Sequence, residues 1–308
     1  MKLYLLITIF CFTVLVSVGQ NHFPKFDVQG HRGARGLMPE NTVPAFLLAL
    51  DSGVTTLEMD LAVTKDRQLV VSHEPWMNAA ICQNPNGQNI KEKDEKKFNL
   101  FQMTYEQVKA WDCGSKPNEK FPQQSKLKTA KPLLREVIVA VEDHIKSFTQ
   151  YEVDYNIEIK SSPAGDNKFH PKPAEFADLV YEFLDQYLPM ERVVIQSFDF
   201  RVLQYLHKKH PKLRLALLIE NLHSIEDNIK KLGFTPSIYS PDFTLLSKDE
   251  IKTCHRLKMR VVPWTVNEEK DMTELKQWGV DGIITDYPDC ARKLKLTLPM
   301  KSFSGGKK

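Results

Sequence analysis

Two hydrophobic rhythms alternate along this chain. Short apolar runs such as VVIQSF at 193–198 and LALLIE at 215–220 are nearly continuous, as in strands covered on both faces of a parallel sheet. Between them, apolar residues recur at three- and four-residue spacing, the signature of amphipathic helices. The pattern predicts strands at 26–30, 56–61, 155–160, 193–198, 213–219, 237–241, 260–266 and 282–285. It predicts helices at 43–51, 133–148, 173–187, 201–210, 224–232, 248–257 and 268–278. Eight strands with helices between them is the count of an α/β protein of the (β/α)8 barrel type. An open doubly wound sheet is the competing arrangement, but no Gly-x-Gly-x-x-Gly opens it.

Two stretches depart from that rhythm. The sequence Thr64-Lys65-Asp66-Arg67-Gln68 reads as a tight turn, and Leu69-Val70-Val71-Ser72-His73 reads as a strand folding back on 58–63. Such a hairpin brings His73 level with Glu58 and Asp60. Residues 74–131 then form an excursion too long for a bare loop in a compact domain. We read it as a small subdomain inserted over the barrel mouth after the second barrel strand. It carries Trp76, Asn84-Pro85-Asn86-Gly87, a mixed-charge run at 91–97 suited to a solvated face, and Cys82 and Cys113. Cysteine spacing does not match a zinc site. Cys82 and Cys113 flank one loop-rich region and are the preferred disulfide, whereas Cys254 falls in a helical pattern and reads as buried; a bridge to Cys290 is not indicated.

Composition changes the picture mainly at the ends. Lys2, an apolar block over 3–16 and the small residues Ser17-Val18-Gly19 read as a signal peptide over 1–19, cut before Gln20. An uncleaved anchor is the rival. The barrel then spans 24–300, and the mature protein is expected in an oxidising compartment, secreted or periplasmic. The last residues, KSFSGGKK, are small and charged and are expected to fray. A net charge of +3 is scattered, with no basic stripe interleaved with aromatics, so nucleic acid is a poor partner. Neither stable membrane insertion after cleavage nor an obligate protein partner is indicated.

The candidate chemistry begins at Gln29–Thr42, QGHRGARGLMPENT. His31 and Arg32 sit at a strand tip, with Gly33 and Gly36 alongside, where glycine lets a ligand approach the backbone. Pro39-Glu40-Asn41-Thr42 reads as a turn into a helix, capped by Asn41 or Thr42. In LEMD, Glu58 and Asp60 are two apart on a strand, on one face, roughly 6–7 Å apart along the chain. Leu57, Met59 and Leu61 take the other face, which turns the carboxylates into the barrel. In NIEIK, Glu158 and Lys160 share a face in the same way. Three converging carboxylates make a hard oxygen site suited to one divalent cation, Mg²⁺ or Ca²⁺. The plain alternative is an ion network closed by Arg32 and Lys160. Adding His31 and His73, a proton acceptor and a donor, favours the metal reading. His22, His144, His170, His207, His210, His223 and His255 lie in helix or loop contexts and read as structural or exposed. Counting three carboxylates, a divalent ion, Arg32 and Lys160 leaves one positive charge, which a phosphodiester balances. That count assumes no other charged group enters. Trp264 either lines the pocket or closes the barrel end, with Phe198 and Gln196 as weaker lining candidates. Asp281 and Asp286 read as fixing the last strand, with Asp286-Tyr287-Pro288 a turn.

These segments resemble the glycerophosphodiester phosphodiesterase family across essentially the whole mature sequence. The matching stretches are HRGARGLMPENT (31–42), LEMDLAVTKDRQLVVSHE (57–74), NIEIK (156–160), IQSF (195–198), VVPWTVN (261–267) and DGIITDYP (281–288). The resemblance implies a TIM-barrel phosphoric diester hydrolase that releases an alcohol and glycerol 3-phosphate from small-molecule glycerophosphodiesters. It implies that Glu58, Asp60 and Glu158 hold the cation, that His31 and His73 are the acid/base pair, and that Arg32 and Lys160 grip the phosphate. Glu40 becomes a partner of the ligands rather than a ligand. After His73 many family members continue with Asp, an apolar residue and Arg-Thr-Thr; here Glu74-Pro75-Trp76-Met77 follows, which leaves the leaving alcohol open. The closest rival is a phospholipase C or D type lipid phosphodiesterase. From another class comes a non-catalytic phosphodiester-binding protein, which would not need a proton donor and acceptor.

Overall fold

The computed structural model describes residues 23–149 and 151–299. The expected signal peptide and the charged tail lie outside the described residues. Among these residues no helix is long and apolar enough to cross a membrane.

The predicted alternation of strand and helix is what the chain adopts. Strands β1 (Asp27–Gly30), β2 (Thr56–Val63), β4 (Asp154–Ile159), β5 (Val193–Ser197), β6 (Arg214–Ile219), β7 (Ile238–Pro241), β8 (Arg260–Val261) and β9 (Gly282–Thr285) are the eight parallel barrel strands. Their neighbour order is β8-β7-β6-β5-β4-β2-β1-β9, with β3 (Leu69–Val71) paired to β2 off this path. The helices are α1 (Val43–Asp51), α2 (Tyr105–Lys109), α3 (Leu134–His144), α4 (Pro173–Tyr187), α5 (Phe200–Lys209), α6 (Ile225–Leu232), α7 (Lys248–Arg256), α8 (Glu269–Trp278) and α9 (Pro288–Lys293). The barrel is nearly closed. Between β8 and β9 the link is irregular, made by Asp281 N–H to Val261 O, Ile284 N–H to Pro263 O and Val266 N–H to Ile284 O, each 2.9 Å.

Three elements differ from expectation. The strand expected at 260–266 stops at Val261, because Pro263 has no N–H to give the ladder. The helix expected at 133–148 ends as α-helix at His144 and continues as a wider turn over Ile145–Thr149. The Asp286-Tyr287-Pro288 turn leads straight into α9, with Pro288 in its first turn, where a missing N–H costs nothing.

Two apolar layers follow from strand alternation. Leu57, Met59, Leu61, Ile157, Ile159 and Ile195 point outward and are buried against the helices with Phe46, Leu50, Phe176 and Val180. Val194, Ala216, Ile238, Val262 and Ile284 point inward and fill the barrel interior. Nearer the strand tips the inward side chains of β2, β4 and β5 are polar (Glu58, Asp60, Glu158, Gln196), and with Leu218 and Trp264 they form the site.

The hairpin forms in the predicted register, with Leu61 opposite Val71 and Val63 opposite Leu69. The insertion builds a small core of its own. Met77, Ile81, Leu100, Val108 and Trp111 pack there against Ala62 and Val70 of the hairpin. Cys82 and Cys113 form the expected disulfide, and Cys254 is buried and free.

Candidate active site

The chain reverses immediately after β1, and the reversal sets the first functional residues. Arg32 and Gly33 adopt positive φ values of 51° and 86°. A Cβ on Gly33 would lie 2.5 Å from the Ala45 carbonyl carbon, so glycine here lets α1 pack closely. This corrects the expectation that the glycine makes room for a ligand. Turned this way, the Arg32 N–H donates to Glu58 Oε2 at 2.9 Å. Its guanidinium meets Glu40 Oε1 at 2.9 Å and Asp60 Oδ2 at 3.3 Å. Thr42, not Asn41, caps α1. Asn41 has φ 56° and donates through Nδ2 to Asp60 Oδ2 at 2.8 Å.

Sheet register gathers the acids. Asp60 lies directly beside Glu158 on the neighbouring strand, and Glu58 lies beside Asn156. Glu58, Asp60 and Glu158 are all buried, and each offers an oxygen within 4.8 Å of the others. Burial, then repulsion from Asp60 and Glu158, raises the Glu58 carboxyl well above the usual carboxylate range. Burial raises Glu158 too, against the pull of Lys160. Burial also opposes ionisation of Asp60, but Arg32, His73, Lys160 and the Asn41 amide outweigh it and hold that carboxyl well below its usual range. Lys160 Nζ sits 2.8 Å from Glu158 Oε1 and 3.9 Å from Asp60 Oδ1. Asp60 Oδ1 nevertheless has no hydrogen-bond partner. An all-oxygen trio with mutual repulsion and an orphaned buried carboxylate oxygen fits a hard divalent cation. Arg32 and Lys160 alone leave that repulsion uncompensated.

Each histidine is held by a carboxylate. His31 Nδ1 is 2.8 Å from Asp286 Oδ1, and its Nε2 faces Glu58 Oε2 at 4.0 Å. Burial, reinforced by Arg35 and opposed by Asp286, lowers its pKa to about 4. His73 Nδ1 is 2.7 Å from Glu74 Oε1, and its Nε2 is 3.1 Å from Lys160 Nζ.

His31, Arg32, Arg35, Glu58, His73, Glu158 and Lys160 line one cavity of about 440 Å³ at the C-terminal ends of the strands. Gln196, Phe198 and Trp264 line it as well. Trp264 fills both roles considered for it, packing on the interior core while its Nε1 donates to Ser240 O at 3.0 Å. Its ring meets Phe198 edge-on at 5.5 Å. Gln196 donates to Glu58 Oε1 at 2.8 Å. The charge count does not survive intact, because Arg35, Glu40, Glu74 and Asp286 also reach the site. Of the other histidines, His170 is buried against Pro171 O and Ser162 N, a structural role.

This order of strand-tip residues is matched by a known family. The profile of the "Glycerophosphoryl diester phosphodiesterase family" matches residues 31–290. The chain belongs to that family.

A glycerophosphodiester phosphodiesterase of Bacillus altitudinis is 32% identical over 271 residues, covering 86% of this chain and 96% of the relative. One from Caldanaerobacter subterraneus is 31% identical, covering 85% and 94%. A structure from Silicibacter pomeroyi, assigned provisionally as a glycerophosphoryl diester phosphodiesterase, superposes with a TM-score of 0.77 at 29% identity, covering 89% and 94%. A phosphodiesterase from Oleispira antarctica, solved with its product sn-glycerol-3-phosphate, has a TM-score of 0.67 at 20% identity, covering 87% and 95%. The chain is thus a TIM-barrel phosphoric diester hydrolase of the glycerophosphoryl diester phosphodiesterase family.

Three orienting residues are missing from the sequence reading of this family member: Glu74, which holds His73 at 2.7 Å, Arg35 and Asp286. Arg35 makes a two-pronged contact with Asp286, Nε to Oδ1 at 2.6 Å and Nη2 to Oδ2 at 2.9 Å. Asp286, which the sequence assigns only to fixing the last strand, also orients His31 while accepting from Asn267 at 2.9 Å. Arg35 and Asp286 lie inside recognised motifs, HRGARG and DGIITDYP, which was the available signal. Asp281 does fix its strand, accepting from Val261 N–H at 2.8 Å.

Proposed function

We propose that this enzyme hydrolyses glycerophosphodiesters to an alcohol and sn-glycerol 3-phosphate, using one divalent cation, Mg²⁺ or Ca²⁺, and a histidine acid/base pair. The observation that carries the reading is that His31, His73, Glu58 and Glu158 border one cavity, with Asp60 beside Glu158 beneath it. Glu58, Asp60 and Glu158 would hold the cation. When bound, it supplies Lewis-acid stabilisation of negative charge on the phosphoryl oxygens.

Arg32 and Lys160 flank the acids and bind the non-bridging phosphate oxygens, Arg32 through the Nη2 side of a guanidinium that Glu40 and Asp60 hold in place. His31, gripped through Nδ1 by Asp286, presents Nε2 to the cavity and takes the proton from the glycerol 2-hydroxyl. That oxygen attacks phosphorus, the bond to the departing alcohol breaks, and His73 gives the alcohol its proton. Water then opens the cyclic phosphate with the two imidazoles reversed. The division of roles is supported by their partners. The Asp286 charge is taken up by Arg35, which leaves less of it to stabilise protonated His31. His73 is anchored differently, with Nδ1 2.7 Å from Glu74 Oε1 and Nε2 turned to Lys160 Nζ at 3.1 Å on the cavity wall.

A coupled assay for released glycerol 3-phosphate tests the activity. Its absence with every divalent cation tried would end the reading. A diester lacking the 2-hydroxyl tests the internal attack, since undiminished turnover means that water attacks directly.

Export to the periplasm or medium is supported by the leader pattern at 1–19 and by the Cys82–Cys113 disulfide, a bond that persists in oxidising compartments. N-terminal sequencing of exported protein should begin near Gln20, and retention in the cytosol would contradict it.

A further inference from the structure

The catalytic cavity shares walls with two smaller spaces of opposite character. On one side, Arg32, Arg35 and His73 also border a cavity of about 410 Å³, whose far wall is Lys116, Asn118 and Lys120 of the insertion. On the other side, Glu158, Lys160 and Phe198 also border one of about 280 Å³, whose further lining includes Pro75, Trp76 and Phe169 together with His170 and the 161–165 turn. A phosphodiester has two arms, so a phosphate at Arg32 and Lys160 directs one arm into each space. The polyhydroxylated glycerol suits the polar side, where charged and amide groups replace water. The aromatic side is left for the alcohol.

The walls of the aromatic pocket come from three separate elements, and they are tied together. Trp76 opens the insertion, Phe169 lies in the loop after β4, and Phe198 follows β5. Trp76 and Phe169 meet edge to face at 5.3 Å. Beside them, buried Asn99 of the insertion donates to Lys168 O at 2.7 Å and joins the insertion to the β4 loop.

Charge decides what such a pocket prefers. Aromatic walls alone would suit either a hydrocarbon or a trimethylammonium group. Here each ring already faces an ammonium: Lys96 Nζ is 5.1 Å from the Trp76 centroid, Lys168 Nζ 5.0 Å from Phe169 and Lys160 Nζ 5.8 Å from Phe198. The carboxylate on this wall, Glu158, belongs to the acidic trio. Building on the proposed function, we infer that the Trp76–Phe169–Phe198 pocket receives the leaving alcohol and selects an uncharged, apolar one.

The test compares kcat/KM for three glycerophosphodiesters at one pH and one cation concentration. Their alcohols are 3,3-dimethylbutanol, choline (the same shape with a charge) and glycerol. The neutral isostere is expected to exceed choline and glycerol by about tenfold, the scale of one or two apolar groups seated in a pocket. Trp76→Ala should narrow the dimethylbutyl-to-glyceryl ratio by about tenfold, and Trp76→Phe should restore most of it. Phe169→Ala, on a different element, should narrow it as well and guards against a folding defect in one variant. Choline preferred over its isostere would make this a cation site and overturn the inference. So would a ratio that neither alanine variant moves. No turnover on any of the three would instead bring down the functional reading, and the inference with it.

Discussion

At the mouth of the barrel the decisive side chains are charged and buried, whereas in the inserted segment most charged side chains lie at the surface and the buried ones are mainly apolar, Asn99 and Lys131 excepted. Glu58, Asp60 and Glu158 are withdrawn from water and answered by Arg32, Lys160, Asn41 and Gln196. The 3₁₀ turn at Glu92–Lys97 carries its charges outward, while Met77, Leu100 and Val108 are buried round the Cys82–Cys113 disulfide. Buried charge is costly unless neighbours are fixed to meet it, and parallel strands in register supply such neighbours. The insertion lacks that scaffold and relies on a small core and a crosslink. Chemistry should therefore be sensitive at the strand tips, and the insertion should tolerate change with effects on stability and substrate choice.

The sharpest way to break this contrast is at the acids. Removing divalent cations with a chelator should lower turnover by on the order of 10³-fold or more, since a bound cation is worth several kcal/mol to the transition state. Adding the cation back should restore it, and full activity in chelator would strip the trio of its role. Next come the imidazoles. His31→Ala and His73→Ala should each lower kcat by about 10²-fold or more, and steady-state kinetics with near-normal kcat would remove that histidine from catalysis. Asp286→Asn should lower kcat by roughly ten- to a hundredfold with a smaller change in KM, because it frees the His31 ring rather than removing it. An effect confined to KM would assign Asp286 to binding instead.

The smallest effect on turnover is expected in the insertion. Replacing Cys82 and Cys113 together with serine should lower stability by about 3–4 kcal/mol. It should change kcat less than about threefold, because no group of the insertion is asked to move a proton. Hydrogen exchange should quicken over 77–113 and leave β2 and β4 protected. A loss of turnover as large as that of a histidine variant would mean that the two regions are not separable.

Much of this was legible in the chain itself. Continuous apolar runs and helical spacing declared the eight strands and their helices, because a strand covered on both faces has no other composition open to it. The alternation in LEMD and NIEIK declared that acids and aliphatics face opposite ways. Both are local rules, in which neighbours along the chain decide the outcome.

Tertiary structure decided what depends on which strand lies beside which. Register put Asp60 next to Glu158. The link from the end of β9 back to β1 let Asp286 reach His31 across a separation of 255 residues. Gly33 beside His31 serves helix packing rather than ligand access, because the space beside it is filled by Ala45. The hydrogen bond of Asn41 to Asp60 and the aromatic pocket at Trp76 arise likewise from elements that meet only in space. Periodicity along a chain carries the direction of each side chain, and only folding supplies its distance to a partner on another element.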